Sequence, residues 1–379
     1  MLWLTTTAAT VSIQPHLSAN CRMQRHAMST KKVLVALSGG VDSSVAVHLL
    51  RQQGYEVEGI ILEFSPVHKA AVQAAQVIAD QLDVKLHVVE CHKEFEQNVI
   101  LPFCREYQAG RTPNPCIFCN PTTKFGIICQ FAKEHGFDKI ATGHYARVEH
   151  LEDGTAVLKK SACIERDQSY MLYRLTQEQL SMLILPLEGL EKTEVRQIAR
   201  DLGLASADAP DSQEICWLPD GDYASFIEQK LGKSKSGDFI SPDGTVCGKH
   251  KGLLHYTVGQ RKRLGIALGY PVFIKEIDPE LNRIYLARTG EEYADGVLLT
   301  DCVIQPNPLL GKDNPIAHAN VKVRSRASDA PATITLLEDG TAKVVFDTPQ
   351  RAPAPGQSCV IYDGITVLGG GYISKQLEL

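Results

Sequence analysis

Short apolar runs alternate with helical patterns through the first half of the chain. Residues 33–37 (VLVAL) form a buried-strand pattern, and a Gly/Ser turn leads into a helical stretch that ends at Gly54. Three more strand patterns follow (EVEGIILEF, KLHVVE and DKIATGH), with three helical ones (AAVQAAQVIADQL, KFGIICQFAKEHGF and TEVRQIARDLGL). This alternation predicts an α/β domain with a doubly wound parallel sheet over residues 31–210.

The pattern changes after residue 210. Residues 211–285 are rich in Gly, Lys and Asp and contain one clear helical pattern, DYASFIEQKLG, which indicates a small central domain. Residues 286–379 lose helical periodicity, and their short strand patterns are separated by DG, GG and TPQRAPAPG turns. They predict a third domain, an all-β barrel or sandwich.

The first 30 residues differ from the rest, because they contain no Asp or Glu and include Arg22 and Arg25. This composition is typical of an organellar transit peptide. The alternative is a start assigned too early, since Met28 begins a natural domain start, MSTKKVLVALSGG. In both cases we expect residues 1–30 to be disordered and outside the fold.

Charge and hydropathy change the picture in two ways. No apolar run approaches the ~20 residues that a membrane-spanning helix needs, so a soluble protein is predicted. The formal net charge of −5 argues against a generally basic nucleic-acid binder. Basic residues are nevertheless concentrated in residues 244–275, which contain no Asp or Glu but carry Lys249, Lys251, Arg261, Lys262, Arg263 and Lys275.

A second basic pattern lies in the β-rich region. Lys322, Arg324 and Arg326 occupy alternate positions, which predicts three cations on one face of a strand. Each of the two basic patches is either a phosphate-binding surface or a solvated face.

A glycine- and serine-rich turn, Ser38–Ser44 (SGGVDSS), joins the first strand to the first helix. Glycines let backbone N–H groups approach an anion, and the helix N-terminus adds partial positive charge. The turn lacks the Gly-Lys-Ser/Thr ending of a Walker A loop and the GxGxxG of dinucleotide-binding folds. Its residues resemble the pyrophosphate loop of ATP pyrophosphatases, which split ATP into AMP and pyrophosphate; the alternative is a simple helix-capping turn.

The chain has eleven cysteines, an odd number that argues against a disulfide scaffold. Cys116 and Cys119 form a Cys-x-x-Cys that we expect in a loop before a helix, where the helix N-terminus lowers the pKa of a thiol. The pair is a redox pair, a metal or cluster site, or two core cysteines. Cys216 stands alone in a polar run, DSQEIC, and by itself indicates a structural cysteine.

Two further motifs carry polar side chains. Gly143-His144-Tyr145-Ala146-Arg147 follows the fourth strand, at the carboxyl edge where open α/β sheets bind ligands. The run from Arg166 to Tyr173 mixes charged, amide and aromatic side chains, as an RNA contact does.

Together the motifs resemble those of the tRNA-specific 2-thiouridylases. SGGVDSS, TPNPxxxCN, ATGHYAR, RDQSY, DSQEIC, HYTVGQRKRLG and VKVRSR appear in that family's order from residue 33 to the C-terminus. The resemblance implies an ATP-binding α/β domain, a small central tRNA-binding domain and a C-terminal β-barrel. It also implies a reaction in which ATP adenylates the C2 oxygen of the wobble uridine, and sulfur then displaces AMP. Bacterial members are cytoplasmic, and an organelle is the alternative if residues 1–30 are a transit peptide.

The resemblance also assigns roles to residues. ATP, with Mg²⁺, would bind at Ala36, Leu37, Ser38, Gly39, Gly40, Val41, Asp42, Ser43, Leu62 and Gly143. Cys216 would receive sulfur as a persulfide from a donor or relay protein linked to a cysteine desulfurase. Cys119 would be the partner thiol that attacks the persulfide or resolves the resulting disulfide, and Cys116 is a third catalytic candidate. The flipped-out target base would contact Asn114, Pro115 and Cys116. Further tRNA contacts would be His144, Arg166, Asp167, Gln168, Arg324, Ser325 and Gln357.

One position departs from the family pattern. Many members carry Asp where this chain has Cys116, so the set here is three thiols: Cys116, Cys119 and Cys216. Three thiolates can hold a four-iron, four-sulfur cluster with one iron open for sulfide. The sequence therefore leaves two sulfur mechanisms, a persulfide relay and a cluster.

Two other functions compete with tRNA thiolation. One is another ATP pyrophosphatase, such as a different tRNA thiolase or an amidotransferase-type synthetase. Carboxylate adenylation by such a synthetase needs neither the cysteine set nor the basic C-terminal strand. The other is a non-catalytic RNA-binding protein with a decayed loop, against which the intact SGGVDSS and the cysteines argue.

Overall fold

A computed structural model describes residues 30–211, 215–218 and 220–378. The expectation for residues 1–30 therefore falls, apart from Thr30, outside the described residues, as do Ser212, Gln213 and Glu214 of the DSQEIC motif. Within the described ranges, no helix is both long and apolar enough to cross a membrane.

The elements follow one another in three groups. The strands are β1 Lys32–Ala36, β2 Glu56–Glu63, β3 Leu86–Glu90, β4 Lys139–Ala141, β5 Ala146–His150, β6 Ala156–Lys160, β7 Leu183–Ile184, β8 Gly237–Ile240, β9 Val246–His250, β10 Val272–Asp278, β11 Arg283–Arg288, β12 Tyr293–Ile304, β13 Ile316–Lys322, β14 Ala330–Leu336, β15 Ala342–Arg351, β16 Ser358–Asp363 and β17 Thr366–Leu377. The helices are α1 Val41–Gln52, α2 Lys69–Gln81, α3 His92–Phe95, α4 Leu101–Gln108, α5 Pro115–Cys119, α6 Phe125–Glu134, α7 Ser169–Leu172, α8 Gln177–Met182, α9 Lys192–Asp201 and α10 Tyr223–Leu231.

The first sheet is parallel, in the order β3-β2-β1-β4-β7. Leu34 of β1 packs on one face with Phe125 and Ile128 of α6. Val33 and Val35 of the same strand point to the other face, where α1 and α9 cover them. Buried side chains on both faces of a parallel strand require helices on both sides. The predicted doubly wound α/β domain is confirmed.

The remaining strands form two further sheets. A four-stranded sheet has the order β10-β11-β8-β9. The strands β12-β15-β14-β13-β16-β17 close into a barrel, because β12 pairs with both β15 and β17. The hairpin β5–β6 attaches to this barrel, where Lys159 lies opposite Thr366 of β17. The hairpin thereby connects the chain after β4 to the C-terminal barrel.

The predicted three-cation strand face is wrong. Strand β13 ends at Lys322, so Arg324 and Arg326 lie in the turn that follows it. Lys322 is buried with its Nζ 3.8 Å from Asp329, and Arg324 turns inward to donate to backbone carbonyls. The chain bends before the alternation can place the three cations on one face.

The Cys-x-x-Cys does not lie in a loop, contrary to the sequence prediction. Both cysteines belong to α5, which continues through a π-helical turn, Asn120–Lys124, into α6. Asn114 caps the start of α5, because its side-chain oxygen accepts from the Cys116 N–H at 3.1 Å. π-Helical turns inside α-helices are frequent at functional sites.

Candidate active site

The Ser38–Ser44 turn is shaped by two close approaches. Gly39 has φ +78°, and a Cβ there would lie 2.8 Å from the Cβ of Ala74 on α2, so a side chain does not fit. The hydroxyl of Ser43 accepts from the Ser38 N–H at 3.1 Å and lies 3.1 Å from the Gly40 carbonyl. The result is a narrow turn at the N-terminus of the twelve-residue α1, which suits an anion.

Gly143, which follows β4, allows the end of that strand to pack closely against this turn because it has no side chain. A Cβ at Gly143 would lie 2.7 Å from the Ser43 nitrogen and 2.9 Å from the Asp42 Cβ. The carboxyl ends of β1 and β4 therefore meet at the start of α1. Leu62, near the end of β2, is buried in the core beside the same edge of the sheet.

Asp42 in the first turn of α1 is held by two side chains. Lys192 Nζ donates to both carboxylate oxygens at 2.7 Å, and the Tyr145 hydroxyl donates to Oδ1 at 2.8 Å. Burial, followed by the charge of Asp42, raises the pKa of Tyr145, so the phenol stays protonated and remains a donor.

Asp211 extends this network towards Cys216. Its Oδ1 lies 3.0 Å from Lys192 Nζ and accepts from Arg196 at 2.9 Å, and its Oδ2 accepts from Arg166 at 2.8 Å. Burial alone would raise the pKa of Asp211, but the hydrogen bonds from Lys192 and Arg166 outweigh it and lower the pKa. The carboxylate is therefore firmly ionised, five residues before Cys216.

Most polar groups of the Arg166-Asp167-Gln168 stretch form hydrogen bonds to other residues of the protein. Asp167 accepts from the Ser161 N–H at 3.0 Å and from the Ser169 hydroxyl at 2.8 Å. Gln168 exchanges two hydrogen bonds with the backbone of Tyr145, of 2.7 and 2.9 Å. Arg166 keeps a substantial exposed fraction, 44%, which leaves it open to an anionic partner.

The three thiols expected to act together are brought to one place. Cys116 and Cys216 are exposed, whereas Cys119 is buried and packs in the hydrophobic cluster that contains Trp217. The Trp217 ring lies edge-on to Phe95, with ring centroids 5.1 Å apart. Trp217, the residue next to Cys216, thus packs in the same cluster as Cys119. The three thiols also interact electrostatically with one another.

The expected low thiol pKa is wrong. Removal from water raises the pKa of Cys119 well above its usual range. The side chain of Cys216 reaches the surface, but the protein around its thiol displaces enough water to raise its pKa to about 12. The pKa of Cys116 is raised as well, again through desolvation. The short α5 does not compensate for this loss of hydration, so free thiols are the resting form at neutral pH.

Lys124 is the cation of the thiol site. It interacts electrostatically with all three cysteines, and its Nζ lies 3.3 Å from Nε2 of His144. Nδ1 of His144 lies 2.6 Å from the Thr142 hydroxyl. Burial, followed by the charge of Lys124, holds the pKa of His144 far below its usual value, so this histidine is neutral.

The C-terminal barrel contacts the loop before α5 through two hydrogen bonds. Gln357 donates to the Thr112 carbonyl at 2.6 Å, and the Thr112 N–H donates to the Pro355 carbonyl at 2.8 Å. Arg324 donates to the carbonyls of Ala352 and Val258 at 2.7 and 3.3 Å. Ser325 is partly buried in the adjacent turn. Of the barrel residues expected at the tRNA, Gln357 therefore contacts the loop two residues before Asn114, whereas Arg324 binds other backbone carbonyls.

The described residues contain no group of three or more His, Cys, Asp or Glu side chains arranged to hold a metal ion. The sequence also gave no role to Lys124, Lys192 or Asp211. Asp211 and Cys216 do share the DSQEIC motif, which was the one available signal. The two lysines carry no such signal, because their roles depend on the side chains that the fold brings to them. These are Asp42 and Asp211 for Lys192, and His144 and the thiols for Lys124.

Three family models match the chain over most of its length. They are described as the tRNA methyl transferase HUP domain over residues 31–220, the tRNA methyl transferase PRC-barrel domain over residues 224–288 and the aminomethyltransferase beta-barrel domain over residues 303–373.

Full-length relatives are also found. A tRNA-specific 2-thiouridylase MnmA of Acetivibrio thermocellus is 44% identical over 361 residues, 91% of this chain and 100% of the relative. The protein of the same name from Clostridioides difficile is 42% identical over 360 residues, 92% of this chain and 99% of the relative. A solved 4-thiouridine synthetase in complex with RNA and ATP covers 53% of this chain and 50% of its own, at 19% identity and a TM-score of 0.35.

Proposed function

This chain belongs to the tRNA-specific 2-thiouridylase family, and we propose that it uses ATP to replace the C2 oxygen of a tRNA wobble uridine with sulfur. The observation that carries the proposal is a cation shared between the anion-binding turn and Asp211, five positions before Cys216 in the sequence. Lys192 contacts both Asp42 of the turn and Asp211, which precedes Cys216. One fold thus joins the groups needed to activate an oxygen and the groups needed to deliver sulfur.

The first half-reaction is adenylation. The uridine C2 oxygen attacks the α-phosphate of ATP, an O–P bond forms, and the bond to the β-phosphate breaks with its electron pair leaving on pyrophosphate. The Ser38–Ser44 turn and the N-terminus of α1 supply the N–H donors for the phosphates, and Lys192 supplies a nearby cation. Lys192 donates to both oxygens of Asp42 and Tyr145 donates to Oδ1, so Oδ2 keeps an unused lone pair. Mg²⁺ that accompanies ATP would be held mainly by the phosphate oxygens, with Asp42 Oδ2 as the carboxylate ligand at this turn.

The second half-reaction is sulfur transfer. A donor persulfide, on a relay protein linked to a cysteine desulfurase, passes its outer sulfur to Cys216 and leaves as a thiolate. That sulfur attacks C2, a C–S bond forms, and AMP leaves with the electrons of the C–O bond. Cys119 then attacks Cys216 Sγ, so the bond to the base-bound sulfur breaks and 2-thiouridine departs. A Cys119–Cys216 disulfide remains, and an external thiol must reduce it before the next turnover.

The cluster alternative has less support than the persulfide relay. The described side chains provide no three-ligand group arranged to hold a metal, and the ammonium of Lys124 interacts electrostatically with all three thiols. We therefore propose the persulfide relay for Cys216 and Cys119, with Cys116 in contact with the target base, next to Asn114 and Pro115.

We assign the tRNA to the face where α5 meets the barrel loop. Arg166 is exposed, and Gln357 donates to the Thr112 carbonyl, two residues before Asn114. Arg324 and Ser325 lie in the turn after β13 of the same barrel and are proposed to contact the tRNA backbone. Extruding the base into this entrance would expose its C2 to Cys216, because a paired base hides that atom in the stack. The cytoplasm is the proposed site of action.

An exchange assay separates this function from its competitors. Radiolabelled pyrophosphate should enter ATP only when tRNA with an unmodified wobble uridine is present, and exchange should need no sulfur donor. Exchange that depends on a carboxylate instead of tRNA would favour an amidotransferase-type synthetase. No exchange with any substrate, together with tight tRNA binding, would favour a non-catalytic RNA-binding protein.

A further inference from the structure

Lys124 lies among the three thiols, in the π-helical turn that follows Cys119. Its ammonium interacts electrostatically with Cys116, Cys119 and Cys216, and its backbone N–H donates to the sulfur of Cys119. The ring of Phe125 lies on a further side, with its centroid 5.9 Å from Nζ. The side chain thus lies within electrostatic range of all three thiols.

His144 orients this ammonium. A lysine ammonium can only donate hydrogen bonds, so Nε2 of His144 accepts from Lys124 and the ring proton resides on Nδ1. That proton is donated to the Thr142 hydroxyl, 2.6 Å away. The neutral ring packs on Phe125 with centroids 5.8 Å apart. A neutral acceptor positions the lysine without cancelling its charge.

The charge of Lys124 lacks a carboxylate partner among the described side chains. Its recorded neighbours are the three thiols, His144 and Phe125. Burial lowers the pKa of Lys124, whereas the thiols act in the opposite direction and favour the ammonium. A charged group removed from water is stable only beside an opposite charge, and the thiols are the groups here that can become anions.

We propose that Lys124 is the electrostatic partner of the sulfur anions formed in sulfur transfer, first the persulfide on Cys216 and then the thiolate of Cys119. The proposal rests on the proposed function, because it assigns the charge to the two sulfur species of that reaction. Lys124 forms no covalent bond in it. Its charge stabilises each sulfur anion when the anion appears, and His144 holds the ammonium in place.

The test measures thiol ionisation without ATP or tRNA. The rate of alkylation of Cys216, which is exposed, by iodoacetamide is followed by peptide mass spectrometry as a function of pH. Lys124→Met removes the charge at nearly the same length, and Lys124→Arg keeps it. Lys133→Met is the matched control, since Lys133 lies on α6 and pairs with Glu178 at the surface.

Because the pKa of the Cys216 thiol is already raised, its alkylation rate at each pH is proportional to a small thiolate fraction. Loss of an adjacent cation should lower that rate about 10- to 1,000-fold in Lys124→Met at the same pH. Lys124→Arg should stay close to wild type, and Lys133→Met should not differ from it. A Lys124→Met profile equal to wild type would overturn the proposal. If Lys124→Met does not fold, Lys124→Gln is measured in its place and decides in the same way.

Two further readouts separate this inference from the proposed function. The tRNA-dependent ATP–pyrophosphate exchange should persist in Lys124→Met, while thiolation is lost and Lys124→Arg restores it at least in part. Loss of exchange together with thiolation would assign Lys124 to the nucleotide or to folding and overturn its role at sulfur. If wild type neither exchanges nor thiolates, the proposed function fails, whatever the alkylation profiles show.

Discussion

Lys192 Nζ lies 2.7 Å from both carboxylate oxygens of Asp42, a residue 150 positions earlier in the chain. The same Nζ lies 3.0 Å from Asp211, at the start of the segment that leads to Cys216. Because a lysine has three N–H donors, one side chain serves both carboxylates at once. The anion-binding turn and Asp211, five positions before Cys216 in the sequence, therefore share one cation.

Replacing Lys192 by Met should affect stability and nucleotide binding together. The change leaves Asp42 and Asp211 without their shared cation, which should lower the free energy of unfolding by about 2 kcal/mol. The KM for ATP in the exchange reaction should rise, because the turn loses its nearest cation. Urea unfolding and exchange kinetics measure the two effects.

Arg200→Met is the control for Lys192→Met. Arg200 lies on the same helix, α9, and pairs with Asp208 at an exposed site, where an ion pair contributes at most about 1 kcal/mol. A Lys192→Met protein whose stability and KM for ATP match those of Arg200→Met would contradict the shared-cation account.

Gly143→Ala should disable the nucleotide site through steric conflict. The added methyl would lie 2.7 Å from the Ser43 nitrogen, so either the end of β4 or the start of α1 must shift. Overpacking of this kind costs about 1 to 3 kcal/mol. We expect weaker ATP binding by equilibrium dialysis, with helix content retained in circular dichroism. Gly189→Ala has open space around its added methyl and should bind ATP like wild type; equal binding by both variants would refute the tight contact.

The stability of the fold should depend on the ionisation of Asp211. The pKa of this carboxyl is lowered in the folded protein, so its contribution is fully present above the pKa of the unfolded chain and is lost as pH falls through the folded pKa. Thermal unfolding should therefore show a loss of stability below about pH 4 that Asp211→Asn reduces. The Asn variant should be less stable than wild type at neutral pH. Identical pH profiles for the two proteins would show that Asp211 is not a stabilising anion.

The sequence predicted the α/β domain because its signals are local. Apolar runs and helical periodicity lie within each element, so β1 to β4, α1, α2 and α6 were all visible. The strand β7 was not, because Leu183–Ile184 is too short to show a pattern. The attachment of the β5–β6 hairpin to the barrel depends on pairing with β17, about 200 positions away in the chain, and such partners leave no local signal.

The candidate site likewise contains residues that a local sequence pattern reveals and residues whose roles depend on the fold. The cysteines, the Ser38–Ser44 turn and Gly143 lie in motifs, and the structure brings the three thiols together. The direction of their pKa shift was wrong, because burial depends on side chains such as Trp217 that pack around them. The roles of Lys124 and Lys192 were missed for a related reason, because the role of a lysine depends on the side chains that the fold places beside its ammonium.

Single-turnover thiolation of unmodified tRNA tests the central claim most directly. Wild type is compared with Cys216→Ser, Cys119→Ser and Cys116→Ala, with Cys163→Ser as a control at a buried cysteine outside the site. ATP and a persulfide donor are supplied, and 2-thiouridine is quantified by nucleoside mass spectrometry. The account predicts that wild type, Cys163→Ser and Cys116→Ala form 2-thiouridine, whereas Cys216→Ser and Cys119→Ser do not, although both still catalyse tRNA-dependent exchange. Thiolation by Cys216→Ser at the wild-type rate, or none by wild type, would contradict it.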